Sequence, residues 1–222
     1  MAIGHRRRHM EKGITNGFGS FEKHEIIELM LFFSQPRINT NPIAHSLIDK
    51  FGSLHNVCNA PLNELMEVSG VGRSTAEFLK ILPEFVRAYE LSVYDDKIVF
   101  ENTKEIGEYC VAFQIGRICE AMFVLCLDTR NQLIKRVKLA EGTPGEVYIE
   151  PRQVIEQITH TATTNVILCH NHPAGTLFPS QNDLEITSKI KIALQSINVN
   201  LLDHIIVANG KYISFVDTKL NF

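Results

Sequence analysis

Asn165-Val166-Ile167-Leu168-Cys169-His170-Asn171-His172-Pro173 decides the fold and the chemistry together. Its first six residues form a short, apolar, β-branched run that suits a buried central strand. Its last residues carry two imidazoles two positions apart. In extended geometry side chains alternate between faces, so His170 and His172 point the same way and can share one ion, while Asn171 points elsewhere. Pro173 and Gly175 then turn the chain sharply. The loop after them, Phe178-Pro179-Ser180-Gln181-Asn182-Asp183, can return Asp183 as a third ligand. Two histidines and a carboxylate suit zinc, and three protein ligands leave the fourth tetrahedral position open, as a catalytic site requires. The same loop also reads as a plain helix start, with Ser180 as N-cap and Asp183 in the first turn.

Outward from this stretch the pattern is mixed strand and helix. Thr103 to Gly116 reads as a helix and Glu120 to Leu127 as a strand. Thr129-Arg130-Asn131-Gln132 turns into a second strand, Leu133 to Ala140, and Val147 to Ile149 gives a third short one. Pro151 opens a helix carrying Val154, Ile155 and Ile158. After the histidine loop, Ile186, Ile190, Ala193, Leu194 and Ile197 form one helical stripe. Leu201 to Val207 and Tyr212 to Val216 close as a hairpin around Asn209-Gly210. The expected class is α/β, a mixed-sheet αβα sandwich over residues 101–222, not a doubly wound parallel sheet.

Upstream, residues 21–92 are helical in period, with Ile26, Ile27, Met30, Leu31 and Phe33 at three- and four-residue spacing and a helix opened at Asn41-Pro42 and ended by Gly52. Leu65-x-x-Val68-Ser69-Gly70-Val71-Gly72 with Ala76 and Leu79 resembles a helix-hairpin-helix. Gly70 and Gly72 permit the tight turn, and amides at the following helix start can face a phosphate, with Arg73 and Lys80 as helpers. Glu64, Glu67 and Glu77 offset those cations, and the same segment also reads as an ordinary packing turn. Residues 1–20, with Arg6-Arg7-Arg8 followed by Gly13, Gly17 and Gly19, read as a flexible basic arm, and Ser92 to Lys97 as a linker.

Composition bounds the rest. The chain has 222 residues, 45% apolar and 21% charged, with a formal net charge of −3, so contact with DNA would have to come from a local patch or backbone geometry. Five cysteines without a Cys-x-x-Cys pair suggest neither a disulfide framework nor a thiolate zinc knuckle. No apolar run approaches a membrane span and no signal peptide is legible, which gives a cytoplasmic expectation.

His-x-His-Pro, six residues, then Ser-x-x-Asp, met by His170, His172, Pro173, Ser180 and Asp183, resembles the JAMM (MPN+) metalloproteases. His-Asn-His-Pro-x-Gly, the downstream Leu201-Leu202-Asp203-His204-Ile205-Ile206-Val207, the opening Gly4-His5-Arg6 and the helix-hairpin-helix region resemble the RadC family over nearly the whole chain. The resemblance implies a JAMM/MPN, cytidine-deaminase-like domain behind a small all-α domain. It also implies zinc held by His170, His172 and Asp183, with Ser180 orienting the water or stabilising an oxyanion. An upstream glutamate would act as general acid/base. Glu120 is chosen because it begins the strand that leads the domain, with Glu141 and Glu146 as competitors. Ala174 and Glu150 depart from the family's usual Ser and His. The implied activity is hydrolysis of an amide or isopeptide bond in a peptide or protein substrate, in a DNA-repair context. The alternatives are a metal-dependent nuclease and a non-catalytic DNA-binding accessory protein.

Overall fold

The computed structural model describes residues 2–94, 97–142 and 149–220, apart from the side chains of residues 2 and 3. The chain folds as two units, Met1–Phe85 and Val86–Phe222, so the division falls inside a long helix and not in the expected linker.

The first unit is helical: α1 (Ala2–Asn16), α2 (Lys23–Ser34), α3 (Asn41–Phe51), α4 (Leu54–Asn59), α5 (Leu62–Met66) and the start of α6 (Arg73–Leu91). Two sequence expectations change here. Residues 1–20 are largely the helix α1 and not a flexible arm. His9 is buried beside Phe21 and Phe32, and Arg6 donates to the carbonyls of Gln35 and Ile38. The apolar stripe of α2 is also rotated: Ile27, Leu31 and Phe32 are buried, whereas Phe33 is exposed. Glu28 occupies the same buried face because His5 and Asn41 hydrogen-bond its carboxylate. Pro42 near the start of α3 and left-handed Gly52 at its end act as expected.

The second unit is a five-stranded mixed sheet with helices on both faces. β1 (Glu120–Leu127), β2 (Leu133–Gly142), β3 (Asn165–Asn171), β4 (Asn200–Ala208) and β5 (Lys211–Ser214) lie in the order β2-β1-β3-β4-β5. The β3/β4 pair is parallel and the other three are antiparallel. Period-two alternation splits the core in two. Met122, Val124, Cys126, Val166 and Leu168 pack against α8 (Pro151–Ile158) and α9 (Gln181–Gln195) through Val154, Ile158, Ile190 and Leu194. Leu125, Leu127, Ile167, Cys169, Ile205 and Val207 pack on the opposite face against α7 (Thr103–Gln114) through Ile106, Tyr109 and Cys110. The β4–β5 turn has positive φ at Asn209 and Gly210, the two-residue geometry that suits a twisted hairpin. The strand expected at Val147 to Ile149 falls mainly outside the described residues. Among the described residues no helix is long and apolar enough to cross a membrane.

Candidate metal centre

β3 supplies the site because of where it stops. His170 faces the α8/α9 side with Val166 and Leu168, at zero exposure, and the chain leaves the sheet directly after Asn171. His172 follows on the same side, its backbone amide donating to the Val207 carbonyl at 2.8 Å. Gly175 has φ +87°, and a Cβ there would stand 2.6 Å from the Asn209 side chain, so the turn after the histidines requires glycine. The return leg ends in a capping box. Ser180 is the N-cap of α9, its Oγ accepts from the Asp183 amide, and the Asp183 carboxylate accepts from the Ser180 amide. The helix-start reading therefore holds for this loop, and the same cap leaves the Asp183 carboxylate beside the histidines.

The Nε2 atoms of His170 and His172 lie 2.7 Å apart, and stand 3.3 and 3.5 Å from the two Asp183 carboxylate oxygens. A tetrahedral zinc with ligand bonds of about 2.0–2.2 Å has edges of about 3.4 Å. The two separations from Asp183 are close to such an edge but end on different carboxylate oxygens, and the edge between the rings is closed to a hydrogen bond, so a bound ion would have to part the two rings. Glu120 joins the histidines from β1: its carboxylate and both imidazoles offer ligand atoms within 4.8 Å of one another. Two triads thus share the histidine pair, one completed by Asp183 and one by Glu120.

A profile of the RadC-like JAB domain matches residues 100–220. The chain belongs to the RadC family. It is 32% identical to a UPF0758 protein of Fusobacterium nucleatum over 98% of this chain and 97% of that one. A UPF0758 protein of Ruegeria pomeroyi is 34% identical over 95% and 94% of the two chains, and one from Rhodobacter capsulatus 34% over 92% and 96%.

Within this RadC-family site the competing glutamates separate by face. Glu141 pairs with Ala121 across the β1/β2 ladder, which puts it on the α7 side, and its carboxylate meets Lys138 and Arg117. The hydrogen bond from Lys138 outweighs burial and lowers the Glu141 pKa. Glu146 lies outside the described residues. Of the two departures from the family pattern, Ala174 is exposed beside the ligand turn, and Glu150 is the N-cap of α8 in a capping box with Gln153.

Proton positions follow from the partners. His172 Nδ1–H donates to the Thr176 carbonyl at 2.8 Å, and its Nε2 faces His170 and Asp183. Burial works against the charged ring, but hydrogen bonds to Asp183 and Thr176 outweigh it and raise the His172 pKa. Burial dominates at His170, lowering it to about 4 despite Asp183, and lowers His204 well below the ordinary value. Burial would raise Asp183, but His172, His170 and Ser180 together hold it down. Folded values below the unfolded 6.5 mean that His170 and His204 contribute stability above about pH 6.5 that is lost as pH falls. His172, raised, acts in the opposite sense. The shift of His170 alone should therefore cost the metal-free protein on the order of 3 kcal/mol between pH 6.5 and 4, and His204 adds to that loss. Urea midpoints across that range measure it, and a flat profile would contradict a buried neutral pair.

Asn171, read from the sequence only as a non-ligand, has a defined role. Its Oδ1 accepts from the Ala121 amide and its Nδ2 donates to the Cys119 carbonyl, each at 2.9 Å, so one side chain grips the backbone on both sides of Glu120. Asn171→Ala leaves the amide of fully buried Ala121 without this acceptor and should cost about 1–3 kcal/mol in denaturant unfolding. Asn171→Asp, which keeps the acceptor, should recover part of that loss.

Proposed function

We propose that this chain is a zinc-dependent hydrolase of amide or isopeptide bonds in a peptide or protein substrate. The observation that carries the reading is the convergence of two imidazole Nε2 atoms, the Asp183 carboxylate and Glu120 at the open end of β3. His170, His172 and Asp183 would hold the metal. When bound, zinc supplies a Lewis acid for the carbonyl and lowers the pKa of a coordinated water to about 7.

The protein's own groups handle the rest. Glu120 accepts the proton of the attacking water and returns it to the leaving amine, a role that needs a carboxylate within hydrogen-bond reach but outside the metal's ligand set. Ser180 Oγ would donate to the carbonyl oxygen as it gains charge. In the resting structure that hydroxyl donates to Asp183 Oδ2 at 2.7 Å, so the two contacts exclude each other at any instant. A single-metal site with a serine donor fits carbonyl chemistry better than phosphodiester displacement, where paired metals are common.

Incubating the zinc-loaded protein with peptide and isopeptide-linked substrate panels tests the reading. Cleavage lost on chelation and restored by zinc is expected. Purified protein that takes up no zinc, with His172→Ala indistinguishable from it, would overturn the proposal.

The α5–α6 hairpin supports a second part of it, contact with a duplex DNA backbone in a cytoplasmic repair setting. Gly70 has φ +87°, and Gln35 Nε2 donates to its carbonyl at 2.7 Å and to Thr75 at 2.9 Å, fixing the turn. Arg73 is paired with Glu77, and Lys80 donates to the Asn59 carbonyl, so the contact would fall mainly to backbone amides near Gly72. Arg73→Ala should then flatten the salt dependence of duplex affinity by less than about one in slope.

A further inference from the structure

His204 and Thr187 have no exposed surface, and neither is among the groups assigned to the chemistry above. They nonetheless connect two of the proposed ligands. His170 Nδ1 meets His204 Nε2 at 2.7 Å, His204 Nδ1 meets Thr187 Oγ1 at 2.6 Å, and Thr187 Oγ1 meets the backbone carbonyl of Asp183.

Fold geometry makes this path short. In the parallel β3/β4 ladder Leu168 pairs with His204 and His170 with Ile206, so His204 lies diagonally beside His170. Thr187 stands one helical turn after Asp183 on α9, on the same buried stripe. Phe215 packs at 4.6 Å between ring centroids against His204 and limits its rotation.

The direction of every proton is then forced. A carbonyl oxygen only accepts, so the single hydroxyl proton of Thr187 goes to Asp183. Thr187 Oγ1 must therefore accept from His204 Nδ1–H. The His204 ring is fully buried, and both of its nitrogens are taken up by neutral groups, the Thr187 hydroxyl and the His170 imidazole. Such a ring is neutral, because an unpaired buried charge is too costly. Its Nε2 then carries a lone pair and accepts from His170 Nδ1–H. That leaves the His170 Nε2 lone pair aimed at His172 and Asp183.

We propose that His204 and Thr187 form a one-way hydrogen-bond relay, closed between the ring of His170 and the backbone of Asp183, that holds His170 in the tautomer competent to bind the metal. The inference rests on the metal-site reading above and assigns both residues a positioning role.

Long-range ¹⁵N–¹H spectra of histidine-labelled, zinc-free protein test the direction. His170 and His204 should both carry their proton on Nδ1. Chelator competition then reads the consequence. Thr187→Val, which keeps the shape and removes the hydroxyl, should weaken zinc binding about 10–100-fold, the usual effect of losing an outer-shell partner. Thr187→Ser should restore it, and His204→Gln, which retains an acceptor near the Nε2 position, should lose less than His204→Leu. His170 protonated on Nε2 in the zinc-free protein, or Thr187→Val binding zinc like the parent, overturns the relay. Wild type with both rings protonated on Nδ1 but no affinity for zinc supports the relay and overturns the metal reading instead.

Discussion

His172→Ala is expected to reduce zinc from one equivalent per chain to a level that dialysis removes, a larger loss than any outer-shell change. The reason is geometric. His172 lies on the turn side of the site, held by its own Nδ1–H to the Thr176 carbonyl, and its Nε2 stands against both His170 and Asp183. Removing it leaves one imidazole and one carboxylate, short of the three protein ligands that a catalytic zinc takes. Asp183→Asn should behave similarly, because the amide carries no charge and adds a donor beside two rings that must present lone pairs. Zinc content after dialysis, measured by elemental analysis at equal protein concentration, gives the result. Retention of a full equivalent in both variants would remove these residues from the ligand set.

Glu120→Gln should separate chemistry from metal binding. A general acid/base contributes roughly 10²–10⁴-fold to rate, so hydrolysis should fall by that amount while zinc stays at one equivalent. The structure makes the experiment decisive because Glu120 also lies within ligand distance of both histidines. If Glu120 is instead a ligand, the same substitution lowers zinc affinity, and the assignment of base and third ligand must be exchanged with Asp183. The metal measurement needs no substrate, so it can be made first.

Most of the second unit was legible because its signals are local. Alternation placed His170 and His172 on one face and Asn171 on the other; the Asn209-Gly210 pair closed the last hairpin; and Ser180 with Asp183 marked a helix start that the structure builds as a capping box. Glu120 was reached only through resemblance. Its proximity to the histidines depends on the antiparallel register in which Met122 pairs with His170, and no local pattern encodes a register between strands so far apart in the chain. The same holds for Thr187 and His204. The four-residue spacing from Asp183 to Thr187 put both on one helix face, but only the β3/β4 pairing shows what lies opposite. At the N-terminus an arginine triplet read as a solvated arm is part of α1, because what orders it are distant partners such as the carbonyl of Gln35 and the ring of Phe32.

β3 lies at the centre of the sheet, paired through its backbone on both sides, antiparallel to β1 and parallel to β4. Freeing it means breaking two ladders and opening both cores at once, so the amides around Leu168 to His170 should exchange with solvent only through global unfolding. The placement of His170 therefore has the persistence of the fold itself. Uptake of an ion has to part the two rings from their 2.7 Å contact, and the strand that carries the first of them need not move.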